Sequence, residues 1–557
     1  MKFSEMPYTR VEISELEKAY QDLIERAKAA KSGEELFAIH QDYYKVTGEA
    51  NSNYTIAHIR HDIDTTDEFY SKENDYYDEI LPTWQNFDVE YSRVLYESPF
   101  REYMESKIGK VVFKNIEISL KAFDEKLIPL LQEENVLNSR YSKLIATAKV
   151  PFEGEEYNIS LMGKFTVSEN REVRKRAYKA LSECFQGMAD ELDEIYDLMV
   201  KNRTEQAKMM GYENYIEHGY YRMNRNCYDK NMVENFRKQV KEIFVPFAEE
   251  LNKKRGAKLG IEQLKFYDNG VYFLDGNPAP IGTPEEILKA GREMYKELSK
   301  ETGEFFDFMM ENELFDVLGR KTKRAGGYMT YIPRYKSPFI FANFNGTSGD
   351  VDVITHECGH AFQGFLVRDE EIREFADITM ETAEIHSMSM EYFTYDWMGN
   401  FFGDRKDDYY KMHLASSAIF VPYGTMVDEF QHHVYENPDM TPAERKELWL
   451  KLEAEYRPHM NYEDDPYFGA GGWWQRQLHI YQMPFYYIDY VIASICAMQF
   501  KTMMDEDYKK AWDNYLKLCK LSARDFFTNM IKEVDNYQLI ICFTILIFIT
   551  FDMKTFL

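Results

Sequence analysis

Cysteine is scarce. The 557 residues hold six, Cys184, Cys227, Cys358, Cys496, Cys519 and Cys542, and no two form a CxxC pair. That argues against a secreted disulfide framework and fits a reducing compartment, so a cytoplasmic location is expected. Basic charge is in deficit as well. The 67 Lys and Arg face 95 Asp and Glu, a net charge of −28. A surface this acidic disfavours nucleic acid and anionic membrane as partners, and its plainest role is solubility. The opening MKFSEMPYTR has no apolar stretch of the kind that starts a signal peptide, so none is expected. Internal repeats and low-complexity linkers are missing, and strand signals are few.

Helical grammar fills the chain instead. SGEELFAIHQDYYKV sets Ser32 three residues before Glu35, a capping box. TPEEILKAGREMYKEL opens on Thr283, Pro284 and Glu286, and TPAERKELWLKLEAEY repeats the pattern with Thr441, Pro442 and Glu444. Strands are expected only at residues 148–167, 265–275 and 325–345. The fold class is therefore mainly α with a little β, and a chain this long buries a core without disulfides. A boundary is expected near residue 150. It leaves a helical region at 1–150, a second region at 151–535 and an atypical apolar tail at 536–557. LIICFTILIFITF, residues 539–551, would span roughly 20 Å as a helix, short of a ~30 Å hydrocarbon core. No membrane span is expected there. Tyrosine, at 42 residues, suits walls that are half apolar and half wet.

The chemistry is concentrated in VDVITHECGHAFQGF, residues 351–365. On a helix, His356 and His360 share a face and can aim both imidazoles at one ion. Two nitrogens suit zinc, which in catalytic sites takes a third protein ligand and keeps one position open. Zinc lowers the pKa of bound water to ~7 and polarises a carbonyl. Glu357, about 100° around the helix, can take the water's proton and pass it to a leaving amine. A third histidine in the HExxHxxGxxH pattern is excluded, because Gln363 and Leu366 occupy its glycine and histidine positions. FADITMETAEIHSMSMEYF, residues 375–393, offers acids instead. Glu381 and Glu384 share a face, so one can bind the ion while the other orients a ligand. Asp350 or Asp352 is a further candidate for such an outer role.

His479, Tyr486 and Tyr490 follow at helical spacing, and one helix would align them. A hydroxyl or imidazole N–H there could stabilise a developing oxyanion. GAGGWWQ, residues 469–475, reads as a mobile loop able to fold over a bound peptide. FIFANFNG reads as a strand to which an extended peptide could add. His58, His61, His432 and His433 lack a third ligand at sensible spacing and read as structural or surface histidines.

HECGH, with a glutamate in ETAEIHSMSME 24 residues after His360, resembles the thimet oligopeptidase and oligoendopeptidase F family of zinc peptidases. So do PFIFANFNGTSGDVDVITHECGHAFQ and HIYQMPFYYIDYVIA. The resemblance covers roughly residues 150–510. It implies a large multi-helix fold with a deep substrate channel and a small sheet beside the active-site helix. It implies one zinc ion on His356, His360 and Glu384, with Glu357 as general base. It also implies that tyrosines and a histidine of the 479–490 region close on the substrate. The expected function is zinc-dependent hydrolysis of internal bonds in short unstructured peptides, by a monomer or small homo-oligomer. The alternatives are a helical zinc carboxypeptidase or dipeptidase, a non-catalytic peptide-binding protein that retains zinc, and a tail-anchored membrane protein.

Overall fold

The computed structural model of the chain describes residues 1–535. The apolar tail read from the sequence, residues 536–557, lies outside them, as does Cys542. Helices dominate, with two small sheets. Eight helices position the site and its walls: α1 (Gly33–Ile63), α2 (Pro284–Leu298), α3 (Gly349–Leu366), α4 (Met380–Phe393), α5 (Lys406–Glu436), α6 (Pro442–Tyr456), α7 (Leu478–Gln482) and α8 (Tyr487–Leu521). The expected caps start three of them. Thr283 Oγ1 accepts from Glu286 N while Glu286 Oε2 accepts from Thr283 N at 2.7 Å, and Thr441 and Glu444 do the same. The box at Ser32 is half made. Ser32 Oγ accepts from Glu35 N, but the Glu35 carboxylate turns to Lys31 N.

The strands are short. β1 (Val150–Phe152) and β2 (Glu155–Tyr157) form the expected hairpin, and the residues after it turn helical. The second sheet holds β3 (Phe315–Leu318), β4 (Tyr328–Ile332) and β5 (Ser337–Phe344) in the order β3-β5-β4. β5 runs parallel to β3 and antiparallel to β4, with Tyr328 opposite Phe341 and Ile332 opposite Ser337. As the central strand, β5 is buried almost throughout, which is why SPFIFANF is nearly all apolar. The strand expected at 265–275 does not form. Phe266–Asp268 is a single 3-10 turn, and Asp268 is spent on ion pairs with Arg171 and Arg174.

The main hydrophobic core reaches from Phe3 and Met6 to Val534, and a second core gathers residues between Val11 and Ile116. α1 feeds both, with Ile56 and Ile59 in the first and Leu36, Ile39, Ala50 and Ala57 in the second. No helix of the described residues is long and apolar enough to cross a membrane.

α4 packs between α3 and α8, and α5 packs on α8. α3 and α4 meet backbone to backbone. A Cβ on Gly359 would stand 2.5 Å from the His386 carbonyl oxygen and 2.6 Å from Ser387 Cα. Neither neighbour is a side chain that can swing away. Gly359→Ala is therefore expected to cost at least the ~1–3 kcal/mol of an overpacked core, read as a lowered urea midpoint. An unchanged midpoint would show that the two helices slide apart freely.

Candidate functional site

α3 presents two different sides. Ile354, Cys358, Ala361 and Phe362 are fully buried in the core. His356 and His360 face the site and keep 21% and 13% of their side chains exposed. Asp350 fixes the entry to this helix by accepting from the backbone N–H groups of Asn345 and Gly346, both at 2.8 Å. That duty belongs to the turn, so Asp350 has no outer role at the site. Asp352 is one step removed, accepting from the Tyr409 hydroxyl.

Glu384 reaches the two histidines from α4. Its Oε2 lies 3.3 Å from His356 Nε2 and 3.5 Å from His360 Nε2. The three residues offer ligand atoms that all lie within 4.8 Å of one another. Burial disfavours a charge on Glu384, yet the His360 charge and the hydrogen bonds from both imidazoles outweigh it and hold the carboxyl well below its ordinary range. His356 is shifted the opposite way. Burial opposes its charge, and hydrogen bonds to Glu384 and Glu391 overcome that and raise it. The pocket thus favours positive charge between the carboxylate and the rings.

Two nitrogens and one carboxylate oxygen are a donor set of catalytic zinc. Ligand atoms on tetrahedral zinc, at ~2.0–2.1 Å from the ion, stand about 3.3–3.4 Å apart. The observed separations of 3.3 and 3.5 Å match that spacing. The residues present fit the ion.

Glu357 is 8% exposed, and its carboxylate accepts no hydrogen bond among the described residues. Burial pushes its pKa up, with the two histidines pulling against that. It points toward the start of β4, where a Cβ on Gly327 would come within 3.7 Å of its Oε1. Beside it α1 is tied to β4 and its approach by Asp62. This buried carboxylate accepts from Arg324 and from the Tyr328 hydroxyl, each at 2.9 Å, with His58 at 3.4 Å.

The expectation that one helix carries His479, Tyr486 and Tyr490 is wrong. His479 lies on α7, and Tyr486 caps α8. The break spans Met483–Phe485. Pro484 cannot continue a helix, and Phe485 takes the left-handed conformation with φ 70°. Gln431 and Arg225 pin that turn by hydrogen bonds to the Phe485 N–H and carbonyl. The three side chains converge nonetheless. His479 stacks on Tyr486 at 5.3 Å, and the Tyr490 hydroxyl is 3.4 Å from His479 Nε2. The Tyr486 hydroxyl donates to Glu384 Oε1. Burial depresses His479 to about 4, so its ring is neutral near pH 7.

Three other expectations need correction. Glu381 orients no ligand. It is buried beside Asp489, accepts from Thr379, and is pushed up to about 8 by burial and by that carboxylate. The residue that orients His356 is Glu391, which accepts from its Nδ1 at 2.6 Å. Glu391 lies seven residues past Glu384, on the same helical face, and that spacing was its signal in the sequence. GAGGWWQ is not free to move, because Trp473 and Trp474 are buried against Phe468, Tyr196 and Tyr481. Nor can a peptide add to β5, which has β3 on one side and β4 on the other. Of the histidines read as structural or surface residues, His58 and His61 flank Asp62, His432 bonds to Tyr220, and His433 is partly exposed beside Glu429 and Glu436.

Comparisons with known proteins give the family and the fold. The sequence model of the peptidase M3 N-terminal domain matches residues 3–123, and that of peptidase family M3 matches residues 165–276 and 293–522. Oligopeptidase PepF of Bacillus subtilis (strain 168) is 21% identical over 539 residues, covering 91% of this chain and 78% of that protein. Among solved structures, PZ peptidase A with an inhibitor is 45% identical with a TM-score of 0.95, covering 96% of this chain and 95% of that one. An oligoendopeptidase F-like protein from Bacillus anthracis str. Ames is 42% identical with a TM-score of 0.90, covering 96% and 94%.

Proposed function

The chain belongs to peptidase family M3 and is a zinc-dependent oligoendopeptidase, and from that premise we propose how its own residues divide the work. His356, His360 and Glu384 hold the ion. The chemistry supplied by zinc when bound is Lewis acidity toward a water and toward the scissile carbonyl. Glu357 takes a proton from the attacking water and returns it to the departing amine. Its lack of any hydrogen-bond donor among the described residues and its raised pKa suit that exchange.

The two tyrosines have separate tasks. Tyr486 is committed to Glu384, so its hydroxyl fixes the ligand carboxylate. Tyr490 has a long contact to His479 Nε2 and a neighbouring hydroxyl in Tyr486 but no carboxylate partner, so its O–H is the group able to turn to the developing oxyanion. His479, neutral near pH 7, lies beside that hydroxyl in the resting site. Tyr490→Phe is therefore expected to lower kcat by on the order of 10²–10³-fold, as loss of an oxyanion donor does, with KM little changed. Steady-state kinetics on a quenched fluorescent peptide reads this. A rise in KM at constant kcat would make Tyr490 a binding residue instead.

An extended peptide would pair with β4, whose outer edge has no partner strand among the described residues and whose start lies against Glu357. Backbone pairing reads no side chains, which suits a broad range of short peptides. Cys184, Cys227, Cys358 and Cys519 are free thiols, which suits a cytoplasmic role in peptide turnover.

The observation that carries this reading is the convergence of His356, His360 and Glu384 with an unpartnered Glu357 beside an open strand edge. The test is mass spectrometry of a mixed peptide pool incubated with zinc-loaded protein. Internal cuts restricted to short peptides are expected. Stepwise shortening from one end would make the enzyme an exopeptidase, and an intact pool would leave a peptide binder.

A further inference from the structure

The hydrogen bonds of the site do not stop at the residue that orients His356. Glu391 uses one oxygen on His356 Nδ1 and the other on His413 Nε2, each at 2.6 Å. His413 comes from a different helix, α5, and is 7% exposed. Its second nitrogen, Nδ1, meets the Tyr395 hydroxyl. The rings of Tyr392 and Tyr409 close over it, with centroids at 5.4 and 5.7 Å. An ionised carboxylate can only accept, so both imidazoles must donate into it. Each oxygen of Glu391 lies 2.6 Å from an imidazole nitrogen, the placement of a carboxylate that accepts from both rings. His356 therefore donates from Nδ1, which leaves Nε2 as the nitrogen that would face the ion. His413 carries a proton on Nε2, and in the neutral ring Tyr395 donates to Nδ1.

We propose that His413 is a positioning residue of the metal centre that acts only through Glu391, holding that carboxylate in the orientation that aligns His356. Without the His413 donor, one oxygen of a buried carboxylate loses its partner. Glu391 could then rotate away, and His356 would lose the constraint on its ring and its tautomer. Outer partners of this kind typically govern metal affinity by 10–100-fold. Tyr395 extends the same chain one step further, to the residues that follow α4. The inference rests on His356, His360 and Glu384 being the zinc ligands.

Zinc affinity of the full chain, measured by competition with a chromogenic chelator and without substrate, tests it. His413→Leu is expected to weaken zinc binding roughly 10-fold or more. Glu391→Gln is expected to weaken it at least as much. The double variant should bind zinc no more weakly than Glu391→Gln alone, because His413 has no second route to the ion. His413→Gln, which keeps an N–H donor, should recover most of the loss. A purely structural role for His413 would not produce that coupling. Should His413→Leu not fold, His413→Asn, whose amide stops short of Glu391, takes its place with the same expected loss. Zinc affinity unchanged in these variants, or losses that add in full in the double variant, would overturn the relay. A wild type that takes up no zinc, or keeps its zinc in His360→Ala, would instead overturn the ligand assignment and the relay with it.

Discussion

Glu357→Gln is expected to lower kcat by on the order of 10²–10⁴-fold, the contribution of a positioned general base, while zinc content and peptide affinity stay in place. Glutamine keeps the shape of the side chain and removes only the ability to take a proton. The exchange is tolerable for the fold because Glu357 accepts no hydrogen bond among the described residues, so no buried donor loses its partner. The measurement is single-turnover cleavage of a fluorescent peptide beside an isothermal titration of the same peptide. Binding retained with cleavage lost would confirm the base. Equal loss of both would mean that Glu357 holds the substrate, and unimpaired cleavage would move proton transfer to another group.

The second large effect is on the ion itself. Glu384→Ala is expected to weaken zinc binding by more than the ~10–100-fold that loss of an outer partner costs, and to abolish turnover at limiting metal. Glu384 does more than ligate. It separates two imidazoles that the fold holds within reach of one ion, and it takes hydrogen bonds from Tyr486 and Ser387. Its removal leaves the two rings with a ligand position unfilled on the α4 side. Zinc counted per chain after dialysis, compared with Glu357→Gln, separates the two glutamates. A metal-free Glu384→Ala and a zinc-loaded, inactive Glu357→Gln are the expected pair. Zinc retained in Glu384→Ala would mean that the ion sits elsewhere.

What could be read from the chain alone was what is local. Thr283 and Thr441 announce helices because a cap needs only its next three residues. His356 and His360 announce a metal because four residues on a helix return to one face. Glu384 is nearly as legible, since its segment is apolar enough to be buried and an acid there demands a partner. Pairing and convergence are not local. The apolar run of β5 is the same for any buried strand, and nothing in it says that β3 covers one side and β4 the other. His413 carries no signal near itself, because its partner Glu391 belongs to another helix. The helix expected through His479 and Tyr490 is a different kind of error. Pro484 stood in the sequence as a stop, and the regular spacing of the aromatic residues outweighed it.

The contact between α3 and α4 bears on how such chains are recognised. A pattern written HExxH leaves two letters open. In this fold the second of them is closed, because the helix that brings Glu384 lies against the backbone of Gly359. The glycine in HECGH therefore reports something the histidines do not, namely that the helix carrying Glu384 is seated directly across from the motif. A chain with the same histidines and a bulky residue at that letter would have to seat its glutamate farther off, or take its third ligand from another direction. In this chain that one letter therefore records which helix crosses the motif, and it does so from the amino-acid order alone.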